Sequence, residues 1–267
     1  MKKVFISADI EGVNNVLTWD ETEIDKPEYF RYRKLMTQEV AAACEAAHET
    51  GYEVFVKDAH DSARNLIIED LPEYVTLHRG WQGCPGCMMA SLDDTFTCTI
   101  FIGYHSASGT NGNPLSHTMT SNVNYLKING NIASEFLLNA YFSSYYNVPI
   151  AFLSGDEALT KEVKKINNEI EVVDTKKGIG GAIITKHPTL VCKEIKEGVI
   201  KALNKDLSKN IVTLPKTFDV EIEFKKSEYA YKCSFFPGCK YIEPNKILYK
   251  SSNYYDVSVM LQWLVGC

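Results

Sequence analysis

Asp9 and Glu11 stand two residues apart directly after an apolar run, Val4-Phe5-Ile6, in the stretch ISADIEG. Two later apolar runs end in the same way. YEVFVKDAH (52–60) closes on Asp58 and His60, and TCTIFIGYH (97–105) closes on His105. Carboxylates and imidazoles bind divalent metals and move protons near neutral pH. Crowding the anions costs free energy unless a cation is present, because a buried carboxylate without a partner takes up a proton instead. Lys57 is the only basic residue beside these run ends, and strand alternation turns it away from Asp58. A bound divalent metal resolves the conflict. Imidazole plus carboxylate without thiolate suits zinc first, then manganese, iron or cobalt. Any one of these residues alone reads more readily as a solvated or hydrogen-bonded loop residue; the coincidence at three run ends is what points to a metal.

Two more residues could take part. His117 lies in GYHSASGTNGNPLSHTM (103–119), a Ser-, Gly- and Asn-rich segment of the kind that carries catalytic groups on a loop. It is either an exposed loop histidine or a general acid, or a donor to a developing oxyanion. Glu135 opens the helical stretch SEFLLNAYFSSYYN (134–147). An acid in a first turn is ordinary on helix-dipole grounds.

These residues need a frame that brings them together. KKVFISAD (2–9), YEVFVKDAH, TCTIFIGYH, NYLKING (124–130) and VPIAFLSGD (148–156) read as strands. Helices are expected over 27–51, with Pro27 near its start and Gly51 as its stop, over 134–147 with Ser134 as cap, and over about 157–168. Strands that are continuous apolar runs, alternating with helices, predict an α/β fold: a mostly parallel sheet flanked by helices. Ligands of such sheets bind at the carboxyl ends of the strands. In extended backbone Asp9 and Glu11 would point to one side. Beyond Gly178 the texture changes. GIGGAI reads as a flexible joint, followed by a lysine-rich amphipathic helix (185–204), an alternating strand TFDVEIEFK (217–225), a short strand (247–251) and a closing helix (253–267). The expected division is a metal-binding α/β catalytic domain over 1–178 and a smaller C-terminal α+β lobe over 179–267.

The 267 residues are 45% hydrophobic and 23% charged, with a net charge of −6 and no basic run. That balance argues against a nucleic-acid partner and against an anionic membrane surface. The N-terminus lacks the apolar core of a secretory signal, and no run is long enough to span a bilayer, so a cytoplasmic location is expected. The eight cysteines are irregularly spaced and are expected to be reduced. Cys84 and Cys87 form a Cys-x-x-Cys in CPGCMM (84–89), without the second pair a structural zinc would need.

Taken in order, SADIEG, VKDAHDSARNL, LDDTFTCTIFIGYHSAS, LSHTM and NGNIASEFLLNAYFSSYYNVPIAFLSGD resemble the M55 peptidases, the D-aminopeptidase family. The resemblance covers nearly the whole chain and is densest from 4 to 156. It implies that Asp9, Glu11, His60, His105 and Glu135 hold two zinc ions per subunit, with Asp9 bridging, and that His117 is the catalytic histidine. It further implies hydrolysis of N-terminal residues, with D-amino acids as the preferred hand, from short peptides, and a ring-shaped homo-oligomer. Two features depart from the family pattern: Asn14 and Asn15 after the Asp-x-Glu-Gly, expected to reshape the pocket wall, and the thiol pair. Rival readings are a dinuclear metal-dependent amidase or phosphoesterase, for which the motif loops offer only Lys57 and Arg64 as cations, and a non-catalytic peptide- or metal-binding protein.

Overall fold

Unbroken apolar runs become the central strands of this protein. The computed structural model describes residues 2–266. Its elements are β1 (Lys2–Ala8), α1 (Tyr29–Glu49), β2 (Tyr52–Asp58), β3 (Thr76–His78), β4 (Cys98–Tyr104), β5 (Val123–Ile128), β6 (Asn131–Ile132) and α2 (Glu135–Tyr145). There follow β7 (Ile150–Asp156), α3 (Glu157–Ile166), β8 (Glu171–Ile179), β9 (Ala182–Thr185), α4 (Pro188–Leu203), β10 (Phe218–Phe224), α5 (Ser227–Cys233), β11 (Lys240–Glu243), β12 (Lys246–Ser251) and α6 (Tyr254–Val265).

Seven strands form one sheet in the order β3-β2-β1-β4-β7-β8-β9. All its pairs are parallel except the closing hairpin of β8 and β9. Strand alternation divides its side chains between two cores. Val4, Ile6, Ile100 and Ile102 pack with Val40 and Ala43 of α1 and Val191 and Ile195 of α4. Phe5, Phe101 and Leu153 pack on the opposite face with Phe136 of α2 and Leu159 of α3. The expected mostly parallel α/β sheet flanked by helices is therefore the fold.

The second sheet is antiparallel, in the order β11-β12-β10-β5-β6. Along β10, Phe218, Val220, Ile222 and Phe224 are buried while Asp219, Glu221 and Glu223 face outward. Each fully buried apolar side chain there contributes on the order of 2 kcal/mol relative to exposure.

Sheet membership does not divide at 178/179. Strand β8 runs through Gly178 and turns at Gly180 and Gly181 into β9, so GIGGAI is a hairpin and not a joint. In the other direction, β5 leaves the first half of the chain to pair with β10 in the second sheet. The NYLKING strand thus exists but belongs to the antiparallel layer. Cys44, Cys84, Cys98, Cys192, Cys233 and Cys239 are free thiols, as expected, whereas Cys87 is disulfide-bonded. Cys267 lies outside the described residues.

Candidate metal centre

The strand order reverses between β1 and β4, and that switch point is where a parallel sheet opens a crevice. The chain leaving β1 goes on bonding to β4: Asp9 N donates to Ile102 O at 2.9 Å and Gly12 N to Gly103 O at 2.8 Å. A Cβ at position 12 would lie 1.7 Å from Tyr104 O, so only glycine lets the loop lie on the end of β4. Asp9 and Glu11 converge through this turn, closed by Val13 N on Ile10 O at 2.9 Å, and not by strand alternation. Lys176 of β8 fixes the loop from beneath. Its Nζ donates to the carbonyls of Glu11 and Val16, both at 2.5 Å, and Asn113 Nδ2 adds a bond to Glu11 O at 2.9 Å.

His60 follows the end of β2. Its loop is held by Asp58, which accepts from Asn65 N, Leu66 N and Asn65 Nδ2 at 2.6–2.8 Å. Asp58 is thereby taken up by the loop and is not available to the cleft. Glu135 sits in the first turn of α2, capped by Ser134, whose Oγ accepts from Leu137 N at 3.2 Å.

The ends meet in one cluster. His60 Nδ1 lies 3.3 Å from Asp9 Oδ1 and 3.1 Å from Glu11 Oε2. His105 Nε2 lies 3.5 Å from Asp9 Oδ2 and 3.4 Å from Glu135 Oε2. Asp9 thus turns one oxygen to each of two half-sites. Donor atoms of Asp9, Glu11 and His105 all fall within 4.8 Å of one another, and so do those of His105, His117 and Glu135. All five residues of the expected ligand set are buried.

The hydrogen bonds around the cluster fix which way each imidazole presents its lone pair. A carbonyl oxygen only accepts, so the ring nitrogen bound to it carries the proton. His60 Nε2 donates to Thr22 O, His105 Nδ1 to Ser106 O and His117 Nδ1 to Leu115 O, each at 3.0 Å. The inner nitrogens of neutral rings therefore point bare lone pairs at carboxylate oxygens. This is the outer-nitrogen arrangement that orients metal-binding histidines. Asp9 Oδ2, Glu11 Oε2 and His105 Nε2 are buried without a hydrogen-bond partner. Acceptors facing acceptors are repulsive, and a divalent cation among them satisfies all three.

The titration behaviour has the same cause. Burial, then the charge of Glu11, pushes Asp9 well above the usual carboxylate range. Burial also works against a charged Glu11, but His60 outweighs it and holds Glu11 well below that range. Burial likewise opposes protonation of His105, yet Glu135 and then Asp9 push it up to about 10. Protons here stand in for the positive charge the cluster requires.

Above the cluster lies a cleft of about 300 Å³, walled by Ala59, Asp61, Trp81, Met88, Met119 and the end of α6 at Val265 and Gly266. It continues into a second hollow of about 310 Å³ edged by Trp19 and Glu23. No Lys or Arg lines either one among the described residues. His117 stands on this wall, stacked on His105 with ring centroids 4.3 Å apart and planes at 9°, with Trp19 edge-on at 5.2 Å. Burial and the neighbouring His105 lower its pKa below the ordinary histidine value.

Asn14 does not shape this wall. Its side chain donates to Thr175 O at 3.0 Å and to Thr185 Oγ1 at 2.6 Å, tying the loop to β8 and β9. Asn15 donates to Asn14 and does not line the cleft. Lys176, Asn113 and the two tryptophans are the participants that sequence reasoning passes over. Lys176 leaves a faint signal, a lysine inside an otherwise strand-like run before the glycine pair.

A family model described as peptidase M55, D-aminopeptidase, matches residues 1–263. The chain is 33% identical over 241 residues to the D-aminopeptidase of Bacillus subtilis (strain 168), spanning 88% of this chain and 86% of that one. Among solved structures it resembles the Zn-dependent D-aminopeptidase DppA from Bacillus subtilis, a self-compartmentalizing protease. The TM-score is 0.90 at 27% identity, over 98% of this chain and 97% of that one.

Proposed function

The chain belongs to the M55 peptidase family of D-aminopeptidases, and from that premise we propose that it is a zinc-dependent aminopeptidase releasing N-terminal residues, D-amino acids in preference, from short peptides. The observation that carries this reading is the division of Asp9 between two half-sites, with the unpartnered atoms Asp9 Oδ2, Glu11 Oε2 and His105 Nε2 aimed into the cluster. In this reading Asp9, Glu11 and His60 would hold one zinc ion, and Asp9, His105 and Glu135 would hold a second. Zinc, when bound, supplies a Lewis acid for the scissile carbonyl and brings the pKa of a bound water toward neutrality.

The protein's own groups do the rest. His117 donates Nδ1–H to Leu115 O, which leaves Nε2 bare toward the cleft. A neutral ring in that tautomer takes a proton from the attacking water at Nε2 and passes it to the leaving amine. Donation to an oxyanion would require the other tautomer, so proton transfer is the role we assign. Glu135 Oε1 lies 3.5 Å from His117 Nε2 and accepts from Met119 N at 2.7 Å, which holds that carboxylate beside the ring. Trp19 packs edge-on against the ring, and Met119 lines the same hollow.

The phosphoesterase reading loses ground here. A phosphate ester would call on Arg or Lys beside the metals, and the cleft has neither among the described residues. Lys57 is buried, with Nζ donating to Asp58 O and Gly80 O.

A ring-shaped homo-oligomer and a cytoplasmic location belong to the same proposal. The first is supported by the self-compartmentalizing character of the Bacillus protein and by exposed Tyr231, Phe235, Tyr241 and Trp263 on the second sheet and its helices. No helix of the described residues is long and apolar enough to cross a membrane.

The test is hydrolysis of aminoacyl anilides of both hands before and after chelation. The expected result is cleavage lost on chelation and restored by zinc, faster for the D series. Turnover indifferent to chelation would overturn the proposal.

A further inference from the structure

We propose that Asp61 is the residue that recognises the substrate's α-ammonium group, a specificity role that rests on the aminopeptidase reading above. Asp61 follows His60 directly, and its position is fixed. Its backbone is left-handed, with φ of 40°, in a turn closed by Ala63 N on His60 O at 2.7 Å. Its carbonyl accepts from Trp81 Nε1 at 2.5 Å. This geometry places Asp61 on the wall of both hollows. It is the one carboxylate common to both that lies outside the proposed ligand set.

Charge accounting singles it out further. Asp9, Glu11 and Glu135 would be taken up by the two zinc ions of the proposed site. Glu23, the other acid at the mouth, sits 3.8 Å from Lys26. Asp61 has no ion pair or side-chain hydrogen bond within the described residues, and no Lys or Arg lines the cleft to supply one. Its negative charge is therefore left for a cation delivered by the ligand. In a peptide cleaved at its first bond, the ammonium is two bonds from the scissile carbonyl carbon. Asp61 and His60 line the same two hollows, which puts this acid on the wall beside the proposed metal site. A peptide with a blocked amine brings no such cation, so the same contact favours exopeptidase over endopeptidase action. Asp61 is exposed, so the gain falls at the lower end of a charge-assisted hydrogen bond, about tenfold in affinity.

The test compares phenylalanine hydroxamate with phenylpropanoyl hydroxamate, which lacks only the amine, by calorimetric titration of zinc-loaded wild type and Asp61→Asn. Asparagine accepts left-handed backbone, so the turn is retained. The wild type is expected to prefer the amine-bearing compound by about tenfold. Asp61→Asn is expected to lose that preference, bind the amine-free compound as the wild type does, and keep its zinc. Asp61→Glu should recover part of the preference. An undiminished preference in Asp61→Asn, or lost zinc in that variant, would overturn the assignment. Failure of the amine-free compound to bind wild type would instead overturn the zinc reading on which it rests.

Discussion

The imidazole of His117 lies flat on that of His105, with ring centroids 4.3 Å apart and planes at 9°. Two stacked imidazolium ions would repel, so one ring at most is charged, and the lowered pKa of His117 expresses this. In the proposed zinc site His105 would be committed to a metal, which leaves His117 as the neutral ring on the cleft wall. His117→Ala is accordingly expected to keep full zinc content and lose turnover by about two to four orders of magnitude. Metal analysis and steady-state kinetics on the same preparation check this. Wild-type turnover in the variant would remove His117 from the mechanism.

Asp9 is the residue whose loss should damage both half-sites together, because its oxygens lie 3.3 Å from His60 Nδ1 and 3.5 Å from His105 Nε2. Asp9→Ala is expected to lose zinc from both positions, whereas Glu11→Ala should spare the position held by His105 and Glu135. Elemental analysis of the two variants after equal dialysis distinguishes them. Full zinc occupancy in Asp9→Ala would refute the bridging role.

Gly12 has a steric reason to be glycine that is independent of metal. A Cβ there would fall 1.7 Å from Tyr104 O and 2.6 Å from Gly103 O, both backbone atoms that cannot swing aside. Gly12→Ala should lose at least about 1–3 kcal/mol of stability, the cost of overpacking, and bind zinc more weakly because Glu11 is displaced. Thermal melts with and without zinc measure both effects.

Glu39 offers a pH test away from the metal. Its carboxyl is buried and pushed up to about 8, chiefly by burial, while its Oε1 accepts from Asn14 N at 2.9 Å. The unfolded chain gives up this proton near pH 4.5 and the folded chain only near 8. Over that window the folded state binds more protons, so the contribution of Glu39 to stability declines as pH rises. Glu39→Gln should gain on wild type by on the order of 1 kcal/mol per pH unit across it. Chemical denaturation of both proteins at several pH values reads the difference. A constant difference would mean that Glu39 ionises normally in the fold.

Much of the frame is legible in the sequence because local pattern encodes it. Apolar runs mark β1, β2, β4 and β7, and their ends announce Asp9, His60 and His105. Alternation marks β10. What local pattern does not encode is partnership. The NYLKING run looks the same whether it joins the parallel sheet or, as it does, pairs with β10 nearly a hundred residues away. The hairpin of β8 and β9 is disguised by Gly180 and Gly181, which serve a tight turn as well as they would a linker. Lys176 is hidden for a related reason: its two carbonyl acceptors belong to residues 11 and 16, and only the folded chain brings them near. Glu135 is read as a helix-dipole residue until α2 is docked, since its partners His105 and His117 come from other elements.

The proposed activity requires five side chains from four segments to act as one dinuclear ligand set. Zinc-edge anomalous diffraction from crystals of the zinc-loaded protein tests that directly. The predicted map has two peaks, one among Asp9, Glu11 and His60 and the other among Asp9, His105 and Glu135. A single peak elsewhere on the chain, or none at Asp9, would contradict it.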